Sequence, residues 1–348
     1  MYSKTNPLLA SIKARWSLCS ASSHKQTMHY ILQVKDAGLQ YKVGDSVGIF
    51  PTNPPEIVEK TLHALGVGGD APLRHFLATQ ANLKSCSHKL LNRLTATPPE
   101  DVRHFLDNHE VWDLLKFYGE VKIDPEEFRS LLMPLLPRFY SIASSQSVVG
   151  EEIHLTVANL AYETNGKRRV GICSHFLEEV SLNEAVVPLY IQPNHQGFTI
   201  PEETSTPLIM IGPGTGVAPF RGFLQERVQQ KAVGENWLFF GEWTREGEFF
   251  YQEEFEKWVE EGFLRLTTAF SRDQDHKIYV QDRMWEHAQE LYDWIQRGAI
   301  IYVCGDAEKM AKDVEATLMK IGEEIGRVDG RSFIKKLRTE KKYLRDIY

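Results

Sequence analysis

Apolar and polar positions alternate along the beginning of the chain, at 11–20, at 27–34 and, after the turn residues Gly44 and Asp45, at 46–50. A period of two among β-branched and aromatic residues predicts antiparallel strands. From 51 to 137 the spacing becomes helical: Ile57, Leu62 and Leu65, and later Val111, Leu114 and Leu115, fall on one face of a helix, with breaks at Pro98-Pro99 and Asp124-Pro125. Strand character returns at 139–143, 153–160 and 186–192. Three strands before a helical insert and three after it predict a small closed barrel.

The pattern beyond residue 200 is different. Apolar runs at 208–211, 237–240, 264–270 and 300–303 alternate with helical spacing near 218–231, 249–260, 280–297 and 306–322. That alternation predicts a parallel sheet covered by helices on both faces. The polar stretch 194–206, with Gly197 and Pro201, reads as the linker. The expected fold class is therefore α+β followed by α/β. An antiparallel barrel domain over 1–200, with its helical insert at about 52–136, precedes a parallel-sheet domain over 201–348. No internal repeat interrupts either pattern.

Composition narrows the function. The 348 residues, 42% of them hydrophobic, suit two cores better than one. A net charge of −7 argues against a general nucleic-acid surface. Cys19, Cys86, Cys173 and Cys304 form no C-x-x-C pair and no metal spacing, as expected in a reducing cytosol. No window reaches the ~18 apolar residues of a spanning helix, and 1–10 lacks a leader pattern. A cytoplasmic protein without a membrane anchor and without a metal is the expectation.

Candidate chemistry begins at Gly212-Pro213-Gly214-Thr215-Gly216, between the apolar run 208–211 and a helix. Such a turn bares N–H groups at the positive end of a helix, where the pyrophosphate of a dinucleotide can sit. Pro219 stands where a Rossmann fingerprint has its third glycine, and a tight turn in any α/β protein would look similar. The loop alone leaves both readings open. Arg138, Phe139, Tyr140 and Ser141 bring a cation, aromatic faces and a hydroxyl to one strand. Gly171, Ile172, Cys173 and Ser174 enter another helix, with Ser174 expected as its N-cap. Ser271, Arg272, Lys277 and Tyr279 follow a strand at the sheet edge where ligands of such folds bind, suited to a dianion. Glu242, after the strand at 237–240, competes as a ribose ligand, but the atypical glycine loop counts against that assignment. Asp306 is placed to cap the helix through Met310, and Cys304 to end the last apolar strand.

The strings from Met210 to Arg221, Arg138-Phe139-Tyr140-Ser141, Cys304-Gly305-Asp306 and the terminal Asp346-Ile347-Tyr348 together resemble the ferredoxin–NADP reductase superfamily. The likeness is nearest to the reductase half of diflavin enzymes such as sulfite reductase flavoproteins and NADPH–cytochrome P450 reductases. It implies an FAD-binding barrel and an NADP-binding α/β domain. Arg138 is implied on the FAD pyrophosphate, Phe139 and Tyr140 at the flavin, and Ser141 near its reacting nitrogen. Thr156, Val157, Ala158 and Tyr162 are implied as a second flavin-lining stretch, with Thr156 acting through its backbone. Gly171 to Ser174 would hold FAD phosphate. Gly214, Thr215 and Gly216 would cradle NADPH, Ser271, Arg272, Lys277, Tyr279 and Gln281 would take its 2′-phosphate side, and Asp306 would lie nearby. Ser141, Cys304 and Asp346 are the implied catalytic set, and Tyr348 the aromatic gate.

The resemblance implies hydride transfer from NADPH to FAD, then single electrons to a protein acceptor: a flavodoxin or other FMN protein, a ferredoxin, or a sulfite-reducing haem protein. FAD is expected on this chain and FMN is not. A diaphorase or quinone reductase, or a non-catalytic FAD-binding partner subunit, are the competing expectations. The segment 331–345, with seven cations against Glu340 alone, is a candidate docking face for an acidic partner.

Overall fold

The computed structural model describes residues 2–119, 122–164 and 166–348. Strands β1 (Leu8–Ser17), β2 (Thr27–Gln33) and β3 (Ser46–Ile49) come first. Next is the helical insert: α1 (Pro55–Leu65), α2 (Ala71–Thr79), β4 (Ala81–Asn82), α3 (His88–Leu94), α4 (Val102–Asp107), α5 (Val111–Tyr118), α6 (Pro125–Leu131) and β5 (Met133–Pro134). Asp70, Ser87, Asp101 and Asp124 cap its helices by accepting first-turn N–H groups. The predicted apolar face of Ile57, Leu62, Leu65, Leu114 and Leu115 lies inside the insert's own core.

After the insert come β6 (Arg138–Ser141), α7 (Gln146–Val149), β7 (Glu152–Ala158), the hairpin β8 (Ala161–Thr164) and β9 (Lys167–Val170), α8 (Ile172–Glu179) and β10 (Val187–Gln192). Six strands form one antiparallel sheet in the order β6-β3-β10-β1-β2-β7. The bridge between Ile142 and Leu155, with Ala143 N–H donating to His154 at 2.8 Å, joins the outermost strands and closes the barrel at one end. Tyr30, Leu32, Val47, Ile49 and Leu155 fill it. The hairpin is absent from the sequence reading, since Lys167, Arg168 and Arg169 lack the apolar alternation of a strand.

The remaining chain runs β11 (Leu208–Ile211), α9 (Ala218–Gln229), β12 (Asn236–Glu242), α10 (Arg245–Glu248), α11 (Gln252–Glu260), β13 (Arg265–Phe270), α12 (Val280–Glu286), α13 (Ala288–Gln296), β14 (Ile300–Gly305), α14 (Met310–Glu324), α15 (Gly330–Thr339) and β15 (Tyr343–Ile347). Its parallel sheet has the order β13-β12-β11-β14-β15, with separate buried clusters on its two faces. The helix expected at 280–297 breaks at His287 into α12 and α13. The helix expected at 249–260 begins only at Gln252, because Phe249 and Phe250 are buried in the core before it. The chain end is the fifth strand of this sheet. Among the described residues no helix is long and apolar enough to cross a membrane.

Candidate functional site

Where the barrel opens, β6 and β7 diverge. Beyond the Ile142–Leu155 bridge their facing edges have no ladder partner among the described residues, so Arg138–Ser141 and Thr156–Ala158 border a slot with free backbone groups. Arg138 is exposed, Phe139 is 46% exposed, and Tyr162 stands exposed on the hairpin. The Tyr140 side chain reaches Cys173, and burial raises both the phenol and the thiol, the latter to about 12. Cys173 is thus turned into the barrel. The Thr156 hydroxyl is committed to Tyr251 at 2.6 Å, and Val157 is buried in the barrel core, so these two face the slot through backbone only.

Gly171, not Ser174, is the N-cap of α8. Ser174 lies one turn inside, buried, with its hydroxyl between Leu160 N–H and the Gly171 carbonyl. The expected hydroxyl cap is therefore corrected to a glycine cap, which still leaves the first N–H groups of α8 without intrahelical acceptors. The hairpin above it is anchored to the insert: buried Arg169 donates to Glu110 at 2.6 Å and to Asp113, both at the start of α5.

Opposite the slot, strand pairing brings the chain end into register. β15 runs parallel to β14 with Cys304 opposite Asp346. Ser141 donates its hydroxyl proton to Asp346 Oδ2 at 2.7 Å, and Cys304 Sγ lies 4.0 Å from the same oxygen. Burial raises the Asp346 carboxyl above the ordinary range, opposed by the Ser141 hydrogen bond. The Cys304 thiol is pushed well up by its complete burial, and next by the neighbouring carboxylate, so it is no thiolate nucleophile. Tyr348 is 58% exposed, held by a 2.7 Å hydroxyl bond to Thr215 and by backbone bonds with Gly305 and Ala307. Three residues from distant parts of the sequence, with an aromatic ring beside them, thus meet at the mouth of the slot.

The glycine loop forms a 3-10 turn over Gly214–Val217 and then α9, whose early Pro219 has its φ preset for a helix. Gly214 has φ +58°, and a Cβ on Gly216 would lie 2.1 Å from the Cys304 carbonyl oxygen, so that side chains are excluded where the loop crosses β14. Gly214, Ser271, Arg272, Lys277, Tyr279, Gln281 and Asp306 all line one cleft of about 400 Å³. Asp306 also caps the helical start, accepting from Lys309 and Met310 N–H groups.

Other residues of the cleft were not assigned to it from sequence, Lys25, Trp243 and Lys309 among them. Lys25, from the loop between β1 and β2, forms an ion pair with Glu242 at 2.6 Å and sits 4.3 Å from the centre of the Trp243 ring. Arg272 covers that ring at 3.3 Å, and Lys309 also lines the cleft. Glu242, discounted as a ribose ligand, does line the cleft, with its Oε2 accepting from Lys25 and Trp243 N–H. Nothing local in the sequence marks Lys25, whose contacts come from the other half of the fold.

The donor sets fit two dinucleotides. Open strand edges, exposed aromatic rings and an unpaired helix start suit a flat ring system with a phosphate tail. A cleft holding Arg272, Lys277 and Lys309 with the Ser271 and Tyr279 hydroxyls suits a phosphorylated nucleotide.

Comparison with known proteins agrees with both. Residues 1–107 and 73–176 match the FAD binding domain family, and 210–316 match the oxidoreductase NAD-binding domain family. The whole chain is 37% identical to the sulfite reductase [NADPH] flavoprotein alpha-component of Bacillus subtilis (strain 168). It is 40% identical to the protein of the same name from Shewanella sp. (strain ANA-3), and 39% identical to that of Escherichia coli O9:H4 (strain HS). In each case the chain spans 62% of the relative's length.

Proposed function

The chain belongs to the ferredoxin–NADP reductase superfamily of FAD-binding oxidoreductases, and from that premise we propose that it is an NADPH-dependent flavoprotein reductase serving a protein electron acceptor. The observation that carries the reading is the meeting of Ser141, Cys304 and Asp346 between the open barrel edge and the nucleotide cleft. The division between the two halves is placed near residue 200.

In this reading Arg138 and the start of α8 hold the FAD phosphates, while Phe139, Tyr140, Ala158 and Tyr162 border its rings. Bound FAD would supply the exchange between a two-electron donor and one-electron acceptors. The chain supplies placement. Arg272, Lys277, Ser271 and Tyr279 grip the 2′-phosphate, which selects NADPH, and the glycine loop orients the pyrophosphate. Ser141 keeps its proton turned to Asp346 and leaves its oxygen lone pairs for the flavin edge. Asp346 holds a proton more readily than an exposed carboxyl, which limits the charge placed beside the reacting rings. The Tyr348 ring would cover the flavin face where a nicotinamide must stack, and it is tied sideways by a hydroxyl bond to Thr215. Breaking that bond costs about 0.5–1.5 kcal/mol, small enough for an arriving nicotinamide to displace the ring.

Because its relatives are sulfite reductase flavoproteins, we take a sulfite-reducing haem protein as the acceptor ahead of a flavodoxin or ferredoxin. Of the cations at 331–345, Arg338 and Arg345 face Glu315, and Lys336 and Lys342 face Glu340. Arg331, Lys335 and Lys341, which form no ion pair among the described residues, are what remains for docking. The reading is tested by mixing the FAD-loaded protein anaerobically with NADPH or NADH in a stopped-flow spectrometer. Fast bleaching of the flavin band by NADPH and slow bleaching by NADH is expected; a band that neither nucleotide bleaches contradicts it.

A further inference from the structure

A buried polar row that the chemistry above does not use crosses from the barrel to the nucleotide-binding half. His29 on β2 is fully buried, and His154 and Thr156 on β7 are nearly so. From the other side come Arg221 of α9, Glu254 of α11 and Tyr251, which precedes α11. Tyr251 Oη meets His29 Nδ1 at 2.9 Å and Thr156 Oγ1 at 2.6 Å. His29 Nε2 lies 3.2 Å from His154 Nδ1, and His154 Nε2 3.2 Å from Glu152 Oε2, itself paired with Lys13. Arg221 donates Nε–H to Glu254 at 2.6 Å and Nη1–H to the Ala143 carbonyl at 2.8 Å, with the same Nη1 3.3 Å from His154 Nδ1.

One donor order gives every proton of the row an acceptor, with the single lone pair of His154 Nδ1 shared between Arg221 and His29. A guanidinium only donates, so His154 Nδ1 accepts and its proton sits on Nε2, facing Glu152. His29 then carries its proton on Nε2, donates it to His154, and accepts the Tyr251 hydroxyl proton at Nδ1; Tyr251 in turn accepts from Thr156. Both imidazoles are neutral in this order. A further proton on His154, at Nδ1, would set N–H against the N–H groups of His29 and Arg221. The desolvated site agrees, holding His29 down to about 2 and His154 below its ordinary value, in each case first by burial and then by Arg221. Tyr251 has φ +59°, a left-handed conformation that a non-glycine residue keeps only where its surroundings enforce it.

The row lies where alignment of the two halves is decided. Arg221 sits on the helix that starts at the glycine loop, and Ala143 is two residues beyond Ser141. We propose that Arg221, oriented by His154 and His29, is a positioning residue that fixes the glycine-loop helix against the strand carrying Ser141. Its effect is on ring stacking in the reaction proposed above, so this inference rests on that reading. Arg221, His154, His29 and Tyr251 are not among the residues lining the cleft; alignment is what they can affect, and a displacement of about 1 Å can slow a reaction by ~100-fold.

The test compares Arg221→Lys, His154→Asn and His154→Gln. Lysine keeps the charge but cannot reach Glu254, Ala143 and His154 together. Asparagine keeps an acceptor where Nδ1 stood, whereas glutamine places its amide at the Nε2 position. Arg221→Lys and His154→Gln are expected to bleach at saturating NADPH about 10-fold more slowly, with FAD content and NADP⁺ affinity changed by less than about twofold; His154→Asn is expected to stay near wild type. Amide hydrogen exchange in 143–147 and 214–220 is expected to quicken in the two slow variants only. Wild-type bleaching in all three, or equal losses of rate and ligand affinity, would overturn the proposal. If wild type itself never bleaches, the reductase reading falls, and unchanged exchange at 143–147 and 214–220 would remove the positioning claim as well.

Discussion

The slot at the barrel edge and the cleft at the sheet edge both suit a dinucleotide, yet they are built differently. At the barrel edge the ligand groups are strand backbone and neighbouring side chains of short sequence motifs, on elements braced by the buried Arg169–Glu110–Asp113 cluster. The sheet-edge cleft gathers four cations and three carboxylates, and one of the cations, Lys25, comes from far away in sequence. Affinity at the first should therefore follow stability of the insert–hairpin contact, and affinity at the second should follow individual charges.

The largest expected effect is at the brace. Arg169→Ala leaves buried Glu110 and Asp113 with only Lys84 and Lys167 as cations, and removes hydrogen bonds to two charged groups, each worth about 1.5–3 kcal/mol. Urea denaturation should show that loss together with easier release of FAD; an unchanged midpoint would mean that the hairpin is held by other contacts. Next is Arg272→Ala, expected to lower kcat/KM for NADPH by about 10–100-fold while NADH is little affected, since a hydrogen bond to a charged group is worth ~1.5–3 kcal/mol. Equal losses with both nucleotides would remove Arg272 from the 2′-phosphate.

Smaller effects sharpen the boundary between the two regions. Tyr348→Ala removes a ring that must be displaced and one hydrogen bond with it, so NADP⁺ should bind about 2–10-fold more tightly by fluorescence titration. Weaker binding would show that the tyrosine assists the nucleotide. The smallest effect is on pH dependence. His29 and His154 have folded values below the ordinary 6.5, so the unfolded chain takes up protons first on acidification. Their contribution is complete above about pH 6.5 and is lost as pH falls below it towards the folded values. The melting temperature should drop between about pH 7 and 5, and less steeply in His29→Asn; parallel slopes would exclude the pair as the cause.

What was legible in the sequence follows the same division. The barrel strands and the strand–helix alternation could be read because one or both faces of each element are buried, which leaves an apolar period. Strand β15 could not: Arg345 and Asp346 interrupt its apolar residues, and only its pairing with β14 makes it a strand. Ser141, Cys304 and Asp346 were readable as a set through motif resemblance, and the structure brings them within hydrogen-bond reach. Lys25, Arg221, His29, His154 and Tyr251 carried no local signal, since each acquires its partners across the boundary between halves. The misplaced cap at Ser174 has a similar origin: a hydroxyl near a helix start suggested an N-cap, but tertiary contacts start the helix three residues earlier, at Gly171.

The most direct test of the central claim is a double-mutant cycle on Ser141 and Asp346, read as the rate of flavin bleaching at saturating NADPH. If the two act as one unit, Ser141→Ala and Asp346→Ala should each slow bleaching by about 100-fold, and the double variant should be hardly slower than either single one. Two effects that multiply, or two variants that bleach at the wild-type rate, would contradict the account.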